Sequence, residues 1–213
     1  MSLLKEKLKN IQLVPVVTPY SVEGTVELAK TLIAGGVNAI EITLRTDLAM
    51  EATQAVKDSG VDIVLGVGTL TSVQDVKNVA ALGVDFAVSP GLTPAILNAA
   101  KEYDLDLLPG ISSASDILLG MEYGYDFFKV FPAEAVNAYE LIKSFQSVFP
   151  NANFCPTGGI NLSNINKYLA LPSILCAGGS WILPAEDIKA GNWQKIESLC
   201  KEAIAHIESG AAG

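Results

Sequence analysis

The chain has 213 residues, of which half are hydrophobic and 17% are charged, and it carries a formal net charge of −9. So acidic a chain is a poor partner for nucleic acid or for an anionic membrane, and we expect it to bind neither. No run reaches the roughly 20 apolar residues of a membrane span, and no apolar signal-peptide core follows the lysine-rich first ten residues, so we expect a cytoplasmic protein.

Apolar runs of strand length recur along the chain, and each is followed by a segment of helical periodicity. The predicted strands are Ile11–Thr18, Ala39–Thr43, Asp62–Gly68, Phe86–Ser89, Leu107–Gly110, Phe127–Phe131, Asn153–Thr157 and Ile174–Gly178. The predicted helices are Val22–Ala34, Leu48–Asp58, Ser72–Leu82, Pro94–Glu102, Ser113–Tyr123, Ala138–Phe149, Ser163–Ala170 and Trp193–Glu208. Eight such units predict an α/β fold with a parallel sheet closed into a (β/α)8 barrel, the TIM barrel, with a short additional N-terminal helix in Met1–Asn10. An open doubly wound sheet is the alternative.

Turn and capping residues support this division. Glycines that suit a left-handed helix C-cap stand between a helix and the next strand at Gly36, Gly60, Gly83 and Gly124. Capping residues or proline mark helix starts at Thr46-Asp47, Thr71-Ser72, Thr93-Pro94 and Ser112-Ser113. Because no linker or change in composition divides the chain, we expect residues 1–213 to form one domain, with a disordered tail at 209–213.

Lys129 lies in the apolar run Phe127–Phe131, which is short enough to be a buried strand. Side chains alternate along a strand, so Lys129 shares one face with Phe127 and Phe131. Burying an ammonium group is costly, and a lysine avoids that cost when its amine is neutral, which makes it a nucleophile toward carbonyl carbon. The alternatives are a lysine on an edge strand or one whose head reaches water.

The second predicted strand carries polar residues on one face. Along Ile40–Arg45 the apolar side chains share one face and Glu41, Thr43 and Arg45 share the other, which we expect to point into the barrel. Arg45 is the only arginine in the chain, and its rigid forked guanidinium suits a carboxylate or a phosphate. A buried Glu–Arg ion pair or a purely structural polar layer is the alternative.

Glycine pairs follow the last two predicted strands. Gly158-Gly159 comes after the seventh strand and Gly178-Gly179-Ser180 after the eighth, the positions at which barrels often bind phosphate. Exposed backbone N–H groups, helix dipoles and a hydroxyl group would make an anion site there. Tight turns are the alternative explanation of such glycines.

The combination of lysine, carboxylate, arginine and anion site favours a covalent mechanism. A neutral Lys129 would condense with a ketone to form a Schiff base, an electron sink for carbon–carbon cleavage, and Glu41 would move the protons. The single histidine, His206, and the three cysteines have no metal-ligand spacing, so no metal is expected, although an all-carboxylate metal site stays open. The cysteines, which we expect to be buried reduced thiols, are Cys155, Cys176 and Cys200.

Seven short segments occur in the order of a known family. They are Glu41–Thr46, Gly68-Thr69, Ser89–Gly91, Pro109–Ile111, Phe128–Glu134, Phe154–Ile160 and Gly178–Trp181. Together they resemble the 2-dehydro-3-deoxy-6-phosphogluconate (KDPG) aldolases, which often also act as 4-hydroxy-2-oxoglutarate (KHG) aldolases. The resemblance runs from about Ile11 to Pro184.

The resemblance implies a class I aldolase, a lyase that needs no cofactor, typically a homotrimer that serves the Entner–Doudoroff pathway. Such an enzyme cleaves 2-dehydro-3-deoxy-6-phosphogluconate reversibly to pyruvate and glyceraldehyde 3-phosphate. At the matching positions, Lys129 would form the Schiff base and Glu41 would accept and donate protons. Arg45 and Thr69 would hold the carboxylate derived from pyruvate, and Pro90 and Phe131 would line the pocket. The phosphate would be received by Gly158, Gly159, Gly179 and Ser180.

The chain departs from the family pattern after Glu134, where Ala135–Tyr139 stands in place of an expected glycine pair. The resemblance therefore does not predict the shape of this loop. A preference for 4-hydroxy-2-oxoglutarate, which yields pyruvate and glyoxylate, or for the epimeric 2-dehydro-3-deoxy-6-phosphogalactonate stays open. The alternatives from other classes are a phosphate-binding barrel isomerase or synthase with Glu41 as base and no covalent lysine, and a non-catalytic binding protein on the same scaffold.

Overall fold

Parallel strands and helices alternate through residues 3–8 and 10–211, the part of the chain that this computed structural model describes. The strands are β1 (Leu13–Val17), β2 (Ala39–Thr43), β3 (Val64–Gly68), β4 (Phe86–Val88), β5 (Leu107–Leu108), β6 (Gly110–Ile111), β7 (Phe127–Val130), β8 (Asn153–Pro156) and β9 (Ala177–Gly179). The helices are α1 (Leu3–Leu8), α2 (Val22–Ala34), α3 (Ala49–Asp58), α4 (Val73–Leu82), α5 (Pro94–Glu102), α6 (Ala114–Glu122), α7 (Ala138–Val148), α8 (Ile165–Leu169), α9 (Ala185–Ala190) and α10 (Trp193–Ala211). The predicted α/β class with parallel strands is confirmed.

Within the described residues the strands form two parallel sheets. One has the order β5-β4-β3-β2-β1-β9 and the other the order β6-β7-β8. Strands that follow each other in the chain are neighbours, as successive right-handed βα units produce. β5 and β6 take the place of one predicted strand, and Pro109 alone separates them, because proline has no N–H to donate to a ladder.

The two sheets adjoin through β8 and the segment that leads into β9. Isolated parallel bridges join Phe154 to Ile174 and Thr157 to Gly178. The predicted eighth strand begins at Ile174, whereas the ladder between β1 and β9 begins at Ala177. The carboxyl ends of β8 and β9 therefore lie side by side. As a result Gly158-Gly159, which comes shortly after β8, lies close to Gly178-Gly179, which ends β9.

The inner faces of the strands carry an apolar layer that α1 covers. Leu4 and Leu8 of α1 pack with Val14, Phe86 and Phe127 in this layer. A larger apolar cluster lies between the outer faces of the strands and the surrounding helices. Because side chains alternate, the inner face that carries Phe127 at the start of β7 also carries Lys129 near its end.

Most of the predicted turn and capping residues have the expected geometry. The glycines predicted to cap helices all have a left-handed backbone, with φ of 84° at Gly36, 70° at Gly60, 62° at Gly83 and 86° at Gly124. The side chains of Ser72, Thr93 and Ser113 accept hydrogen bonds from the N–H groups of the first helical turn. The prediction at Thr46-Asp47 is wrong, because α3 begins after Leu48 and has no side-chain cap.

The C-terminal part of the chain differs from the prediction in two elements. Helix α9 was not predicted, and it follows Pro184 directly. Helix α10 continues to Ala211, so the predicted disordered tail is wrong for 209–211. Residues 212 and 213 lie outside the described residues. No helix in the described part of the chain is long and apolar enough to cross a membrane.

Candidate active site

Lys129 on β7 and Glu41 on β2 meet inside the molecule. Lys129 Nζ lies 3.2 Å from Oε1 and 3.4 Å from Oε2 of Glu41. The two residues are only 6% and 4% exposed, so each charge compensates the other in a place where either alone would be costly. The partner of Glu41 is thus Lys129, and the alternative of a Glu41–Arg45 pair is wrong. The edge-strand explanation of Lys129 is also wrong, since β7 lies between β6 and β8.

The strand register explains how this pair is accommodated. Lys129 lies opposite Gly110 on β6 and Cys155 on β8. A Cβ atom at Gly68 on β3 would overlap the carboxylate of Glu41, and the space for that carboxylate therefore depends on glycine at this position. Glycine at position 68 thus leaves room for the long acidic side chain of the pair.

All three cysteines are buried free thiols, as predicted. A hydrogen bond from Cys176 lowers the pKa of the Cys155 thiol, burial opposes this shift, and the nearby charge of Lys129 supports it. The same contact with Cys155 raises the pKa of Cys176. Cys155 is therefore part of the electrostatic surroundings of Lys129, a role that the strand register reveals and the sequence pattern did not.

A cavity of about 400 Å³ opens at the carboxyl ends of the strands. The predicted site residues that line it are Arg45, Phe131, Gly158, Gly159, Gly179 and Ser180. Phe131 connects the cavity to the buried pair, because Lys129 Nζ lies 5.5 Å from the centroid of its ring. The predicted residues Thr69 and Pro90 are not among those that line the cavity.

Arg45 lies beyond the end of β2, which stops at Thr43, so it is not the strand residue that the alternating pattern predicted. Its side chain is exposed at the cavity and forms no ion pair with the described residues. Thr43 is 1% exposed and donates a 2.9 Å hydrogen bond to the carbonyl of Val17. In this segment Glu41 and Thr43 are therefore buried, whereas the guanidinium group of Arg45 is available to a ligand.

The Gly158-Gly159 turn presents backbone donors at the cavity. Both glycines have a left-handed backbone, with φ of 101° and 82°. The carbonyl group of Gly158 accepts a hydrogen bond from the N–H of Glu134. The carbonyl group of Gly159 accepts hydrogen bonds from the side-chain amides of Asn161 and Asn164. The bridge between Thr157 and Gly178 directs the N–H of Gly158 toward β9, whereas the N–H of Gly159 has no hydrogen-bond acceptor within the described residues. Such an unpaired donor at the wall of a cavity suits an anion.

Thr69 and Pro90 follow the neighbouring strands β3 and β4. Thr69 has a φ of 72°, which is rare for a β-branched residue and is sustained only where the surrounding structure holds it. A Cβ atom at Gly110 would overlap the backbone carbonyl of Pro90, so Pro90 packs directly on the strand beside Lys129. The structure thus brings Pro90 near the lysine and places Thr69 directly after Gly68, the residue that faces the carboxylate of Glu41.

Several cavity residues were missed by the sequence prediction. They are Thr18 and Tyr20 after β1, Thr157 directly after β8, and Ala185 and Ile188 of α9. Pro184 followed by Glu186 and Asp187 is a sequence signal of a helix start that could have located α9. The alternation along β8 places Thr157 on the face of Cys155, toward the buried pair, and could have identified it.

Comparison with known proteins agrees with this geometry. Residues 4–199 match the family model of the KDPG and KHG aldolases. The chain belongs to this family. It is 45% identical over 192 residues to the 2-dehydro-3-deoxy-phosphogluconate aldolase of Dickeya dadantii, with 90% of each chain covered. It is 44% identical over 191 residues to the KHG/KDPG aldolase of Escherichia coli K12, again with 90% of each chain covered.

A solved structure supports the same assignment. The KDPG aldolase from Legionella pneumophila, with pyruvate captured at low pH as a covalent carbinolamine intermediate, is 38% identical and superimposes with a TM-score of 0.90. The superposition covers 93% of this chain and 97% of that chain. The resemblance inferred from the sequence is confirmed, and so is the enzyme class, an aldolase that breaks carbon–carbon bonds.

Proposed function

We propose that this chain is a Schiff-base aldolase that reversibly cleaves 2-dehydro-3-deoxy-6-phosphogluconate to pyruvate and D-glyceraldehyde 3-phosphate, a step of the Entner–Doudoroff pathway. The observation that carries the proposal is the buried contact between Lys129 and Glu41 beside a cavity with anion donors. A nucleophile in hydrogen-bond contact with a proton acceptor is the arrangement that covalent catalysis needs. The names of the relatives from Dickeya dadantii and Escherichia coli support the substrate.

In this mechanism Glu41 takes a proton from the ammonium group of Lys129, and the neutral amine attacks the C2 ketone of the substrate. Glu41 then returns protons as the carbinolamine forms and loses water to give the iminium ion. Glu41, again a carboxylate, then takes the C4 hydroxyl proton while the C3–C4 bond breaks and its electrons move into the iminium ion, which releases the aldehyde and leaves the enamine of pyruvate on Lys129. Glu41 returns this proton to C3, and hydrolysis of the resulting iminium ion by water releases pyruvate and restores the amine.

The substrate-binding roles follow the layout of the cavity. Arg45 would hold the C1 carboxylate, because its guanidinium faces the cavity without a partner among the described residues. Thr69 would assist it, and its strained φ is typical of a residue held for function. Pro90 and Phe131 would form the walls around the Schiff base. The phosphate would bind the N–H groups and hydroxyl offered by Gly158, Gly159, Gly179 and Ser180.

A second activity on 4-hydroxy-2-oxoglutarate is part of the proposal, since Lys129 and Glu41 act on the pyruvate half that both substrates share. A cofactor has no step in this chemistry. An isomerase or synthase without a covalent lysine is disfavoured, because it would leave the buried amine of Lys129 without a role although its desolvation is costly.

The proposal is tested by measuring pyruvate release with a coupled dehydrogenase. We expect turnover of 2-dehydro-3-deoxy-6-phosphogluconate with a kcat/KM at least about tenfold above that of the galactonate-derived epimer, because one displaced hydroxyl loses its hydrogen bonds in the transition state. Equal kcat/KM for both epimers would contradict the assignment of the gluconate-derived acid as the preferred substrate. Failure to release pyruvate from any of the three oxo acids would contradict the aldolase proposal as a whole.

We further propose that the strands close into a single-domain (β/α)8 barrel. The continuity of β5 and β6 across Pro109 and the two bridges from β8 toward β9 support closure. A crystal structure with an open edge between β8 and β9 would contradict it.

A cytoplasmic homotrimer is proposed from the family resemblance. Exposed apolar side chains support association of chains, with Leu118 54%, Met121 47% and Val148 67% exposed. Sedimentation equilibrium should give three times the mass of the chain, and a monomer mass would contradict the trimer. Cell fractionation should recover the protein with the cytoplasmic enzymes, and recovery from the membrane or periplasm would contradict that location.

A further inference from the structure

The loop after β7 is joined to the Gly158-Gly159 turn through its backbone. The N–H of Ala133 donates a 2.8 Å hydrogen bond to the carbonyl of Thr157, and the N–H of Glu134 donates a 3.0 Å hydrogen bond to the carbonyl of Gly158. Because of these bonds, the carbonyl groups of Thr157 and Gly158 point toward the loop after β7. Because a peptide plane is rigid, they also fix the direction of the N–H groups that follow.

The side chain of Glu134 covers the same turn. A Cβ atom at position 159 would lie 2.5 Å from Cγ and 2.7 Å from Cβ of Glu134, so the stem of this glutamate rests directly on Gly159. Its carboxylate accepts a 2.5 Å hydrogen bond from the hydroxyl of Tyr168. Glu134 is not among the residues that line the cavity, although Gly158 and Gly159 are.

Tyr168 is a rigid anchor for this carboxylate. It lies on α8, which follows the Gly158-Gly159 turn in the chain, and it is only 1% exposed. Its ring packs edge-on against Tyr139, with centroids 6.0 Å apart and an interplanar angle of 82°. Burial, followed by the contact with Glu134, raises the pKa of the Tyr168 hydroxyl, which therefore remains a donor at any pH at which the protein works.

We propose that Glu134 and Tyr168 are positioning residues that give the site its preference for a phosphorylated aldehyde half. The inference rests on the proposed function and deepens it. Tyr168 holds the Glu134 carboxylate outside the cavity, and the stem of Glu134 holds the Gly158-Gly159 turn so that the N–H of Gly159 is available to the anion. Without the hydroxyl, the carboxylate is free to turn toward the phosphate, which it repels, and the turn loses its support.

The test compares Tyr168→Phe with Tyr139→Phe, which removes a hydroxyl from the adjacent ring. For Tyr168→Phe we expect KM for 2-dehydro-3-deoxy-6-phosphogluconate to rise about tenfold, the effect of one lost charge-assisted hydrogen bond, while kcat changes less than about twofold. The pyruvate concentration that half-saturates borohydride trapping on Lys129 should remain within about twofold, because pyruvate carries no phosphate. Tyr139→Phe should match the wild type in both measurements.

Variants of Glu134 distinguish a role in supporting the Gly158-Gly159 turn from general disruption of the fold. Glu134→Gln keeps the stem and an acceptor oxygen, so its KM should stay within about threefold of the wild type. Glu134→Ala should raise KM as Tyr168→Phe does, and the double variant should be no worse than either single one, because both remove the same contact. An unchanged KM in Tyr168→Phe, or equal losses for the phosphorylated substrate and for pyruvate, would overturn the inference. A wild-type chain that does not cleave the phosphorylated substrate would instead overturn the proposed function.

Discussion

Lys129→Met is expected to reduce kcat for KDPG cleavage by about 10,000-fold or more, the scale of losing a covalent nucleophile. Methionine keeps an unbranched chain of similar volume, so the packing against Phe131 and Glu41 changes little while the amine is lost. Lys143→Met is the matched control, because Lys143 forms the same type of pair with Glu140 but on the exposed surface of α7. The control should keep the activity of the wild type in steady-state assays.

The same variant is expected to lower the free energy of unfolding by about 3 kcal/mol, because it leaves the carboxylate of Glu41 buried without a partner. The double variant Lys129→Met/Glu41→Gln should recover part of this loss, since it buries no charge, yet it should stay inactive. Denaturant unfolding of the wild type, Lys129→Met, Glu41→Gln and the double variant measures the coupling free energy between the two residues. If Lys129→Met retained turnover within tenfold of the wild type, the lysine would have no covalent role.

Glu41→Gln is expected to slow turnover by roughly 100-fold or more, because the amide cannot accept the protons that carbinolamine formation and cleavage release. The amide fills the same space beside Gly68, and KM should therefore change less than kcat. Glu140→Gln is the matched control on the exposed pair with Lys143, and it should leave kcat unchanged.

Deuterium exchange into the methyl group of pyruvate separates the role of Glu41 in proton transfer from a role in binding the aldehyde. The exchange needs only the enamine on Lys129 and no aldehyde, and in Glu41→Gln it should fall by a factor similar to that for kcat. A normal rate of exchange together with slow cleavage would show that another group moves the protons.

Much of the fold could be predicted because buried parallel strands leave a simple trace in a sequence. Apolar runs such as Phe86–Val88 must be covered on both faces, and the segments between such runs carry one apolar face and often a left-handed glycine at the end. The ends of elements were harder to predict. α9 has six residues, too few to show a helical period, and α10 extends to Ala211 through Ser209 and Gly210, of which the glycine disfavours a helix.

The central pair could be predicted in part from alternation alone. Counting along β2 put Glu41 on an inward face, and counting along β7 put Lys129 on the face of Phe127 and Phe131, but only the three-dimensional arrangement of the strands shows that the two side chains meet. Arg45 was assigned to the same strand face, whereas β2 ends at Thr43 and Arg45 reaches the cavity from the following turn. A pattern with a period of two residues holds only as far as the strand continues.

The loop after Glu134 has residues with side chains where a glycine pair was expected, and one of them adopts a left-handed backbone. Asn137, which stands near the expected glycine pair, has a φ of 50° at the start of α7. Asparagine tolerates the left-handed region better than most residues with a side chain, and it can therefore serve where glycine was expected. The bond between Tyr168 and Glu134 joins residues 34 positions apart, and no local pattern in the sequence predicts it.

The Schiff base on Lys129 is the central claim, and borohydride reduction in the presence of pyruvate tests it most directly. Peptide mapping by mass spectrometry should find one reduced pyruvate adduct, on the peptide that contains Lys129, and activity should be lost in proportion to the adduct. Lys129→Met should form no adduct, while Lys143→Met should form the same adduct as the wild type. An unmodified Lys129 in a fully active protein after reduction, or an adduct on another lysine that accounts for the loss of activity, would contradict the account.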